Sequence, residues 1–487
     1  MKQRRTPDPC TIVVFGASGD LTSKKLMPAL HNLRIEGHIP DETSIVGSAR
    51  TEWTDEEFCN DVRADIEEHS RIEPTDESWA EFSKGVYYVA GDVNDTESFT
   101  RLGRRLEEID RERGTGGNRV WYLATLPSLF GTIAEQIGKS GLLDTGGWHR
   151  LVVEKPFGQD LASARELNAV IKSQFAEDQI FRIDHFLGKE TVQNLLVFRF
   201  ANAIFEPVWN RRYIDNVQIS TLESFGIEER GAFYERTGAL RDVGQNHLLQ
   251  LLALIAMEPP AAWDAAAIRD EKRQVLRAIR RWSASECSEI AVRGQYEGYR
   301  EENKVDRNSS TETFFAMKLL IDNWRWADVP FYVRTGKRLA TTATEIAITF
   351  QRVPHLLFKK TAVEELERNQ ILIRIQPDEG ISLTFGTKIP GPDVNVRTVD
   401  MEFDYEAGFG SGTPEAYERL LLDCMLGDQT LFARSDEIEE SWEIVDPIVG
   451  YWAEGGRPGT YAPGSWGPAS ADELLRRDGR RWKDPSR

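Results

Sequence analysis

Short apolar, β-branched runs alternate with helical patterns over the first 155 residues. The strand-like runs are Ile12–Phe15, Ser44–Ala49, Val86–Val89, Val120–Leu123 and Leu151–Val153. The helical patterns between them are Lys24–Leu33, Asp55–Ser70 and Leu129–Lys139. Such alternation is typical of right-handed βαβ units around a parallel sheet that is covered on both faces. The sequence therefore predicts an α/β, Rossmann-type first domain.

Past about residue 190 the pattern changes. Four strand-like runs, Val217–Leu222, Glu345–Phe350, Ile371–Ile375 and Ile381–Phe385, are separated by fewer helices, which is typical of an antiparallel sheet. Helical runs interrupt them at Leu240–Met257 and Tyr417–Cys424. We predict a coenzyme-type domain over residues 1–192 and a larger α+β domain with a mostly antiparallel sheet over residues 193–487. The Gly/Pro/Trp-rich tail from Gly450 is expected to be surface coil.

Charge and composition exclude several classes of partner. Lys and Arg number 60 against 79 Asp and Glu, a net charge of −19, which opposes binding to nucleic acid or to an anionic membrane. A small phosphorylated ligand needs only a local cluster of cations. The four cysteines, Cys10, Cys59, Cys287 and Cys424, form no CxxC pair, which indicates a reducing compartment. The apolar stretch near the N-terminus is too short for a signal sequence, so we expect a cytoplasmic protein.

A glycine-containing turn follows the first strand. Its residues are Gly16, Ala17, Ser18, Gly19, Asp20 and Leu21. A strand, such a turn and a helix together suit a dinucleotide pyrophosphate, because backbone N–H groups and the helix dipole meet the phosphates. The turn departs from GxGxxG, so an ordinary βα turn is the alternative interpretation. Arg50, at the end of the second strand with no acid beside it, favours NADP over NAD, although a solvated surface arginine is also compatible.

Four further segments combine polar residues in a way that core packing does not require. They are Glu154–Gly158, Arg182–Glu190, Leu240–Leu249, and Arg334–Lys337, which directly follows the predicted strand Phe331–Val333. Two of the seven histidines, His185 and His247, lie inside these segments. Neither has metal-ligand spacing, so no metal site is predicted. His247 leads an apolar helix and is a candidate buried general base, if a carboxylate orients it.

These segments resemble the glucose-6-phosphate dehydrogenase family over nearly the whole chain. The matching motifs are GASGDL…KKLMPAL, EKPFG, RIDHFLGKE, FANAIFEPVWNRRYIDNVQI, ALRDVGQNHLLQ, VPFYVRTGKRL, QRVPHLLF, PDEGISL and PGSWGP. The resemblance implies NADP-dependent oxidation of glucose 6-phosphate at C1, the entry step of the oxidative pentose phosphate pathway. It also implies that the second domain binds substrate and that its large sheet forms a dimer interface, giving a homodimer or a homotetramer. NAD is the weaker alternative coenzyme.

The resemblance further implies roles for the catalytic and phosphate-binding residues. His247 matches the family's general base, which removes the proton of the C1 hydroxyl, and Asp184 matches the carboxylate that pairs with it. His185 and Lys189 match the residues that hold the 6-phosphate, and Lys337 matches a further cation at the substrate.

Other positions match contacts to the sugar and the coenzyme. Lys155 matches a lysine between sugar and coenzyme, and Glu223 and Asp242 match carboxylates that accept sugar hydroxyls. The residues that match coenzyme contacts are Gly16 to Leu21, Arg50, Asp92, Val93 and Lys155.

The chain departs from the family pattern at two positions. Phe186 stands where the family usually has tyrosine, and Thr342 stands where some members have a basic residue. Two alternatives therefore stay open: a dehydrogenase of the same fold with another sugar substrate, and a catalytically inactive regulatory paralogue. The second is opposed by the presence of both Asp184 and His247. The broader Gfo/Idh/MocA oxidoreductases share the EKP motif but do not account for RIDHFLGKE or QNHLLQ.

Overall fold

A computed structural model describes residues 6–353, 367–410 and 414–485 of the chain. Its contacts group the chain into two compact units. Unit 1 comprises Met1–Glu190, Ala262–Arg269 and Gly412–Glu439, and unit 2 comprises Thr191–Ala261, Asp270–Ser411 and Glu440–Arg487. The predicted division after residue 192 stays a prediction. Residues 354–358 of the motif QRVPHLLF lie outside the described residues.

Unit 1 is built on a parallel sheet. Its strands are β1 Thr11–Phe15, β2 Ser44–Ala49, β3 Val86–Ala90, β4 Arg119–Leu123, β5 His149–Val153, β6 Ile180–Ile183 and a short strand Phe432–Ala433. Within the described residues the order is Phe432–Ala433, β6, β5, β4, β1, β2, β3, and the short strand alone pairs antiparallel. The predicted Rossmann-type sheet is thus confirmed, with the strand order of a doubly wound dinucleotide fold.

Helices cover the sheet of unit 1. They are Met27–Ile35, Asp55–His69, Asp76–Ser83, Thr96–Arg113, Phe130–Lys139, Leu161–Lys172 and Ala416–Leu426. The helix predicted over Lys24–Leu33 is a π-helical turn, Thr22–Leu26, that continues as the α-helix Met27–Ile35. The sequence analysis missed the helix Thr96–Arg113, although Phe99, Leu102, Leu106 and Ile109 recur at helical spacing on its buried side.

Unit 2 is built on a larger sheet. Its strands are β7 Ile214–Leu222, β8 Ala291–Tyr296, β9 Phe314–Leu320, β10 Pro330–Gly336, β11 Ala343–Phe350, β12 Gln370–Gln376, β13 Gly380–Lys388, β14 Val396–Asp404 and Gly459–Tyr461. In the described part of the chain their order is β14, β13, β12, β11, β7, β10, β9, β8, Gly459–Tyr461. Six of the eight pairings are antiparallel, which confirms the predicted sheet type.

The remaining helices include three whose residues belong partly to unit 1 and partly to unit 2. The α-helices are Glu190–Phe200, Gly231–Ala239, Leu249–Ala256, Ala265–Ala278, Cys287–Ile290, Tyr405–Phe409, Ser435–Ala453 and Ala469–Arg476. The single helix predicted over Leu240–Met257 is a π-helix, Leu240–Leu248, followed by the α-helix Leu249–Ala256. No helix among the described residues is long and apolar enough to span a bilayer.

Two expectations for unit 2 were wrong. Arg334, Thr335 and Gly336 lie inside β10 and not after it, because their backbone pairs with β7 on one side and β9 on the other. Arg334 is buried, and its guanidinium donates to the hydroxyl of Ser220 at 3.0 Å. The tail from Gly450 is not surface coil. It contains the strand Gly459–Tyr461, the helix Ala469–Arg476 and a buried tryptophan, Trp482.

Trp482 anchors the tail. Its indole N–H donates to the carbonyl of Ala471 at 3.0 Å, and the guanidinium of Arg334 lies 4.4 Å from its ring centroid. We predict that Trp482→Ala lowers the free energy of unfolding by about 3–5 kcal/mol, since a buried aromatic ring is lost. Urea denaturation checks this. Trp324→Ala removes a tryptophan that is 97% exposed and is the matched control. Equal midpoints for the two variants would contradict the assigned anchoring.

Candidate active site

The glycine turn lies at the carboxyl edge of the unit 1 sheet. The N–H groups of Gly16 and Ala17 both donate to the carbonyl of Ser48, at 2.8 and 3.3 Å. Gly16 has a φ of +87°, and a Cβ added to it would lie 2.3 Å from the carbonyl oxygen of Ala124. Only glycine therefore fits at this point. The turn passes directly into the helix that begins at its end, which is the backbone arrangement that binds a pyrophosphate.

A small cleft opens beside this turn. The residues that line it are Phe15, Ser48, Gly91, Asp92, Val93, Ser98, Phe99 and Leu102. Asp92 accepts from the backbone and side-chain N–H groups of Asn94, both at 2.9 Å, and these bonds, with a smaller effect of the Arg50 charge, lower the pKa of its carboxyl. The structure thus places Asp92 and Val93 at this cleft and Arg50 within electrostatic reach of Asp92, while their role in binding the coenzyme stays a prediction. The lining combines the buried apolar side chains of Phe15, Phe99 and Leu102 with the carboxylate of Asp92.

A buried carboxyl lies directly before Lys155. Glu154 follows β5 and accepts from the hydroxyl of Tyr122 at 2.5 Å. Burial raises the pKa of Glu154 to about 6, although hydrogen bonds from Tyr122 and Tyr417 and the charge of Lys155 oppose this shift. The sequence analysis named the EKPFG segment but missed both tyrosines. Their contacts are tertiary, and no local pattern marks them.

Phe186 lies between the two residues that are predicted to hold phosphate. It is buried, the ring of His185 lies 5.0 Å from its ring, and the ammonium of Lys189 lies 4.8 Å from its centroid. Asp184 follows β6, is buried, and accepts from the backbone N–H of Phe186 at 3.0 Å. The segment after β6 therefore holds an imidazole, an ammonium and a carboxylate on one short turn.

The π-helix Leu240–Leu248 of unit 2 carries Asp242 and His247. Both side chains are buried, with exposed fractions of 5% and 2%. The carboxylate of Asp242 lies 3.7 Å from the guanidinium of Arg230. The wider turn of a π-helix is frequent at functional sites because it changes which side chains share a face. The helix packs against β10 and β7.

Glu223 and Lys337 form an ion pair at the ends of β7 and β10. The ammonium of Lys337 lies 2.5 Å from the carboxylate of Glu223, and 4.9 and 5.7 Å from the ring centroids of Phe225 and Tyr234. Lys337 is 4% exposed. Burial, followed by the charges of Asp242 and Glu223, raises the pKa of Tyr234 well above its usual value. Within unit 2, the three predicted sugar-binding residues, Glu223, Asp242 and Lys337, are therefore gathered around Tyr234, which the sequence analysis missed.

Thr342 takes part in a local contact in the same unit. Its hydroxyl accepts from the backbone N–H of Ser224 at 2.9 Å and lies 2.8 Å from the Ser224 hydroxyl. Thr342 therefore helps to hold in place Ser224, the residue after Glu223. The position thus has a defined structural task in this chain.

Known families and proteins match this chain over nearly its full length. The profile described as "Glucose-6-phosphate dehydrogenase, NAD binding domain" matches residues 13–194, and "Glucose-6-phosphate dehydrogenase, C-terminal domain" matches residues 196–483. "Glucose-6-phosphate 1-dehydrogenase 2" of Mycobacterium tuberculosis is 47% identical over 493 residues, covering 99% of this chain and 96% of the relative. "Glucose-6-phosphate 1-dehydrogenase" of Aggregatibacter actinomycetemcomitans is 47% identical over 488 residues, covering 98% of each.

Two solved structures are similar throughout. One, described as "Glucose-6-phosphate dehydrogenase in complex with its substrate glucose-6-phosphate", superposes with a TM-score of 0.90 at 36% identity and covers 99% of this chain and 100% of its own. The other, glucose-6-phosphate 1-dehydrogenase from Mycobacterium avium, superposes with a TM-score of 0.86 at 37% identity and covers 99% of each chain.

The raised pKa of Glu154 makes stability depend on pH. Between its usual value of 4.5 and about 6 the folded state keeps this proton while the unfolded state has released it, so stability falls as pH rises through that window. Glu154→Gln stays neutral at every pH. We therefore predict that its free energy of unfolding rises relative to that of the wild type by up to about 2 kcal/mol between pH 4.5 and 7. Urea titrations at several pH values measure this difference. Glu166→Gln, at an exposed position, is the control, and a pH-independent difference for Glu154→Gln would refute the prediction.

Proposed function

The chain belongs to the glucose-6-phosphate dehydrogenase family, and we propose that it oxidises glucose 6-phosphate at C1 with NADP, giving 6-phosphogluconolactone. The observation that carries this proposal is the match of two consecutive family profiles to residues 13–194 and 196–483. The buried His247 and Asp242, the imidazole of His185 and the ammonium of Lys189 add chemistry that suits an anionic sugar.

The unit 1 residues fit a nicotinamide dinucleotide phosphate. When bound, its oxidised nicotinamide supplies the acceptor for the hydride from C1. Gly16 lets the chain turn sharply at the edge of the sheet, so that the start of the helix that follows would face the pyrophosphate, and Asp92 and Val93 would contact the adenosine. The guanidinium of Arg50 suits the 2′-phosphate, which requires a cation where NAD-type sites have an acid.

His247 is the proposed general base. A neutral imidazole can take the proton of the C1 hydroxyl as hydride leaves C1, so that no full alkoxide charge has to build up. The pairing of Asp184 with His247 rests on the family resemblance. A carboxylate in that role orients the imidazole and stabilises the imidazolium that forms.

The remaining residues have proposed roles in binding the sugar phosphate. His185 and Lys189 bind the 6-phosphate, and charged donors to phosphate are stronger than neutral ones. Glu223 and Asp242 accept sugar hydroxyls, and Lys337, which Glu223 already holds in place, donates to the substrate. Lys155, next to the buried Glu154, is the proposed lysine between sugar and coenzyme.

We also propose a cytoplasmic homodimer or homotetramer. Support for the compartment comes from the four cysteines, all of which are thiols. Support for the assembly comes from the family resemblance. An altered sugar substrate is the second candidate function, and Phe186 and Thr342 are the departures that favour it.

Absorbance at 340 nm tests the proposed reaction. With NADP, we expect fast reduction with glucose 6-phosphate and much slower reduction with free glucose or other hexose 6-phosphates. His247→Ala should lower the rate about 10²–10⁴-fold, the usual contribution of a general base. His69→Ala, at a half-buried surface position, is the matched control and should keep the rate.

Three outcomes would contradict parts of this assignment. Turnover of another sugar in place of glucose 6-phosphate would favour the altered-substrate alternative. No measurable reduction of either coenzyme with any of the sugars would favour the inactive paralogue. Full activity in His247→Ala would place the base elsewhere.

Phe186 offers a test of the phosphate-binding residues. We predict that Phe186→Tyr lowers KM for glucose 6-phosphate about tenfold, because a hydroxyl between His185 and Lys189 adds a hydrogen bond to a charged phosphate, worth ~1.5 kcal/mol. Steady-state kinetics measure the change. Free glucose, which has no phosphate, is the control and should show no gain. An unchanged or raised KM for glucose 6-phosphate would show that this position does not face the phosphate.

A further inference from the structure

Glu312 is a buried carboxylate at the entry to β9 for which the roles above give no use. It is 9% exposed, and its Oε1 accepts from the backbone N–H of Leu240 at 3.1 Å. Leu240 is the first residue of the π-helix that carries Asp242 and His247. The first N–H groups of a helix have no partner inside the helix, so a side chain that accepts from one of them fixes where the helix begins.

The chain just before this helix is shaped around the same carboxylate. Gly238 has φ +64° and ψ 176°, and a Cβ added there would lie 2.3 Å from Oε1 of Glu312. The N–H of Ala239 donates to the backbone carbonyl of Glu312 at 3.0 Å. Both the side chain and the main chain of Glu312 therefore bind the residues that lead into the π-helix.

The residues that follow Glu312 reach two further parts of the site. Phe315 packs against the middle of the π-helix, where a Cβ added to Gly244 would lie 2.6 Å from the ring. The carbonyl of Thr313 accepts from the backbone N–H of Lys337 at 2.9 Å. The stretch from Glu312 to Phe315 is therefore in contact with both the helix of His247 and the backbone of the proposed substrate lysine.

Packing alone does not explain a carboxylate at this position. Burial raises the pKa of Glu312, while its bond to Leu240 and the charges of Arg241 and Arg293 act in the opposite direction. Two buried tyrosines, Tyr234 and Tyr299, also lie within electrostatic reach of it. A buried carboxyl costs free energy that an apolar side chain of similar size would not. Here that cost is offset by the hydrogen bond that Glu312 accepts at the start of the π-helix.

We propose that Glu312 is a positioning residue for this chain's reaction. Its carboxylate fixes the start of the π-helix Leu240–Leu248 and thereby the places of Asp242 and His247. The inference rests on the proposed function insofar as His247 is the general base. A misplacement of about 1 Å at a reacting group can cost about 10²-fold in rate, so the effect of losing this anchor should appear in kcat.

The test compares two substitutions at this position. Glu312→Met keeps the size of the side chain but removes the acceptor, and should lower kcat for glucose 6-phosphate about 10- to 100-fold. KM for NADP should stay unchanged, because the proposed coenzyme residues lie in unit 1. Glu312→Gln keeps an oxygen that can accept from Leu240 and should recover most of kcat.

Glu345→Met is the matched control for the general cost of losing a buried carboxyl. Glu345 lies in β11 of the same sheet, is 4% exposed, and has a pKa that burial raises to about 7. The Glu345→Met substitution should leave kcat unchanged, whether or not it lowers the midpoint of thermal unfolding. Equal kcat losses in Glu345→Met and Glu312→Met, or a Glu312→Gln enzyme as slow as Glu312→Met, would overturn the proposal.

Hydrogen exchange gives a readout that does not depend on turnover. Backbone amides of Leu240–Leu248 should exchange faster in Glu312→Met than in the wild type or in Glu312→Gln. If Glu312→Met shows this faster exchange but the wild-type protein does not oxidise glucose 6-phosphate, the proposed function is refuted and the role of Glu312 in fixing the helix is kept. Active wild-type protein without the exchange difference would refute the anchor and keep the function.

Discussion

The parallel pairing of β1 with β2 and β4 is the constraint on which the chemistry of unit 1 depends. In this register Phe15 lies opposite Ser48 and Leu123, so the three strands end at one level. Polar residues placed just after the strands therefore meet at one edge of the sheet, and apolar strand interiors keep them there. Gly16 provides the sharp turn at this edge, because its positive φ and its approach to Ala124 leave no room for a side chain.

Unit 2 places its polar groups by a different constraint, namely that a buried charge has to be paired. Lys337 is nearly fully buried and is matched by Glu223 at 2.5 Å. Asp242 faces Arg230, and Glu312 accepts a backbone N–H where a helix begins. Each of these interactions holds the end of a strand or helix against a neighbouring element. The interactions that offset the cost of burying the charges therefore also fix the geometry of the candidate site.

The sequence was a good guide to continuous apolar strands and a poor one to tertiary contacts. β1, β2 and β5 were predicted to within two residues because each contains a short run of buried apolar residues, and the two residues missed in β5 are the polar His149 and Arg150. The length of β10 was underestimated because Arg334 and Thr335 look like loop residues, whereas their backbone pairs with β7 and β9. The roles of the matched residues followed from the family resemblance. No local pattern marks a π-helix, the tyrosines around Glu154 or the anchor at Glu312, since each needs partners distant in sequence.

The overall charge of −19 raises the question of which cations attract a phosphorylated substrate. Salt limits long-range repulsion to ~8 Å, so the local arrangement decides. Lys337 and Glu223 together carry no net charge, and this pair can orient a sugar better than it can attract a dianion. Under the proposed function the attraction is assigned to His185 and Lys189, which both lie beside the apolar ring of Phe186. This ring is buried and donates no hydrogen bond of its own. With phenylalanine at position 186, directional recognition of the phosphate would rest on His185 and Lys189 and not on a hydroxyl between them.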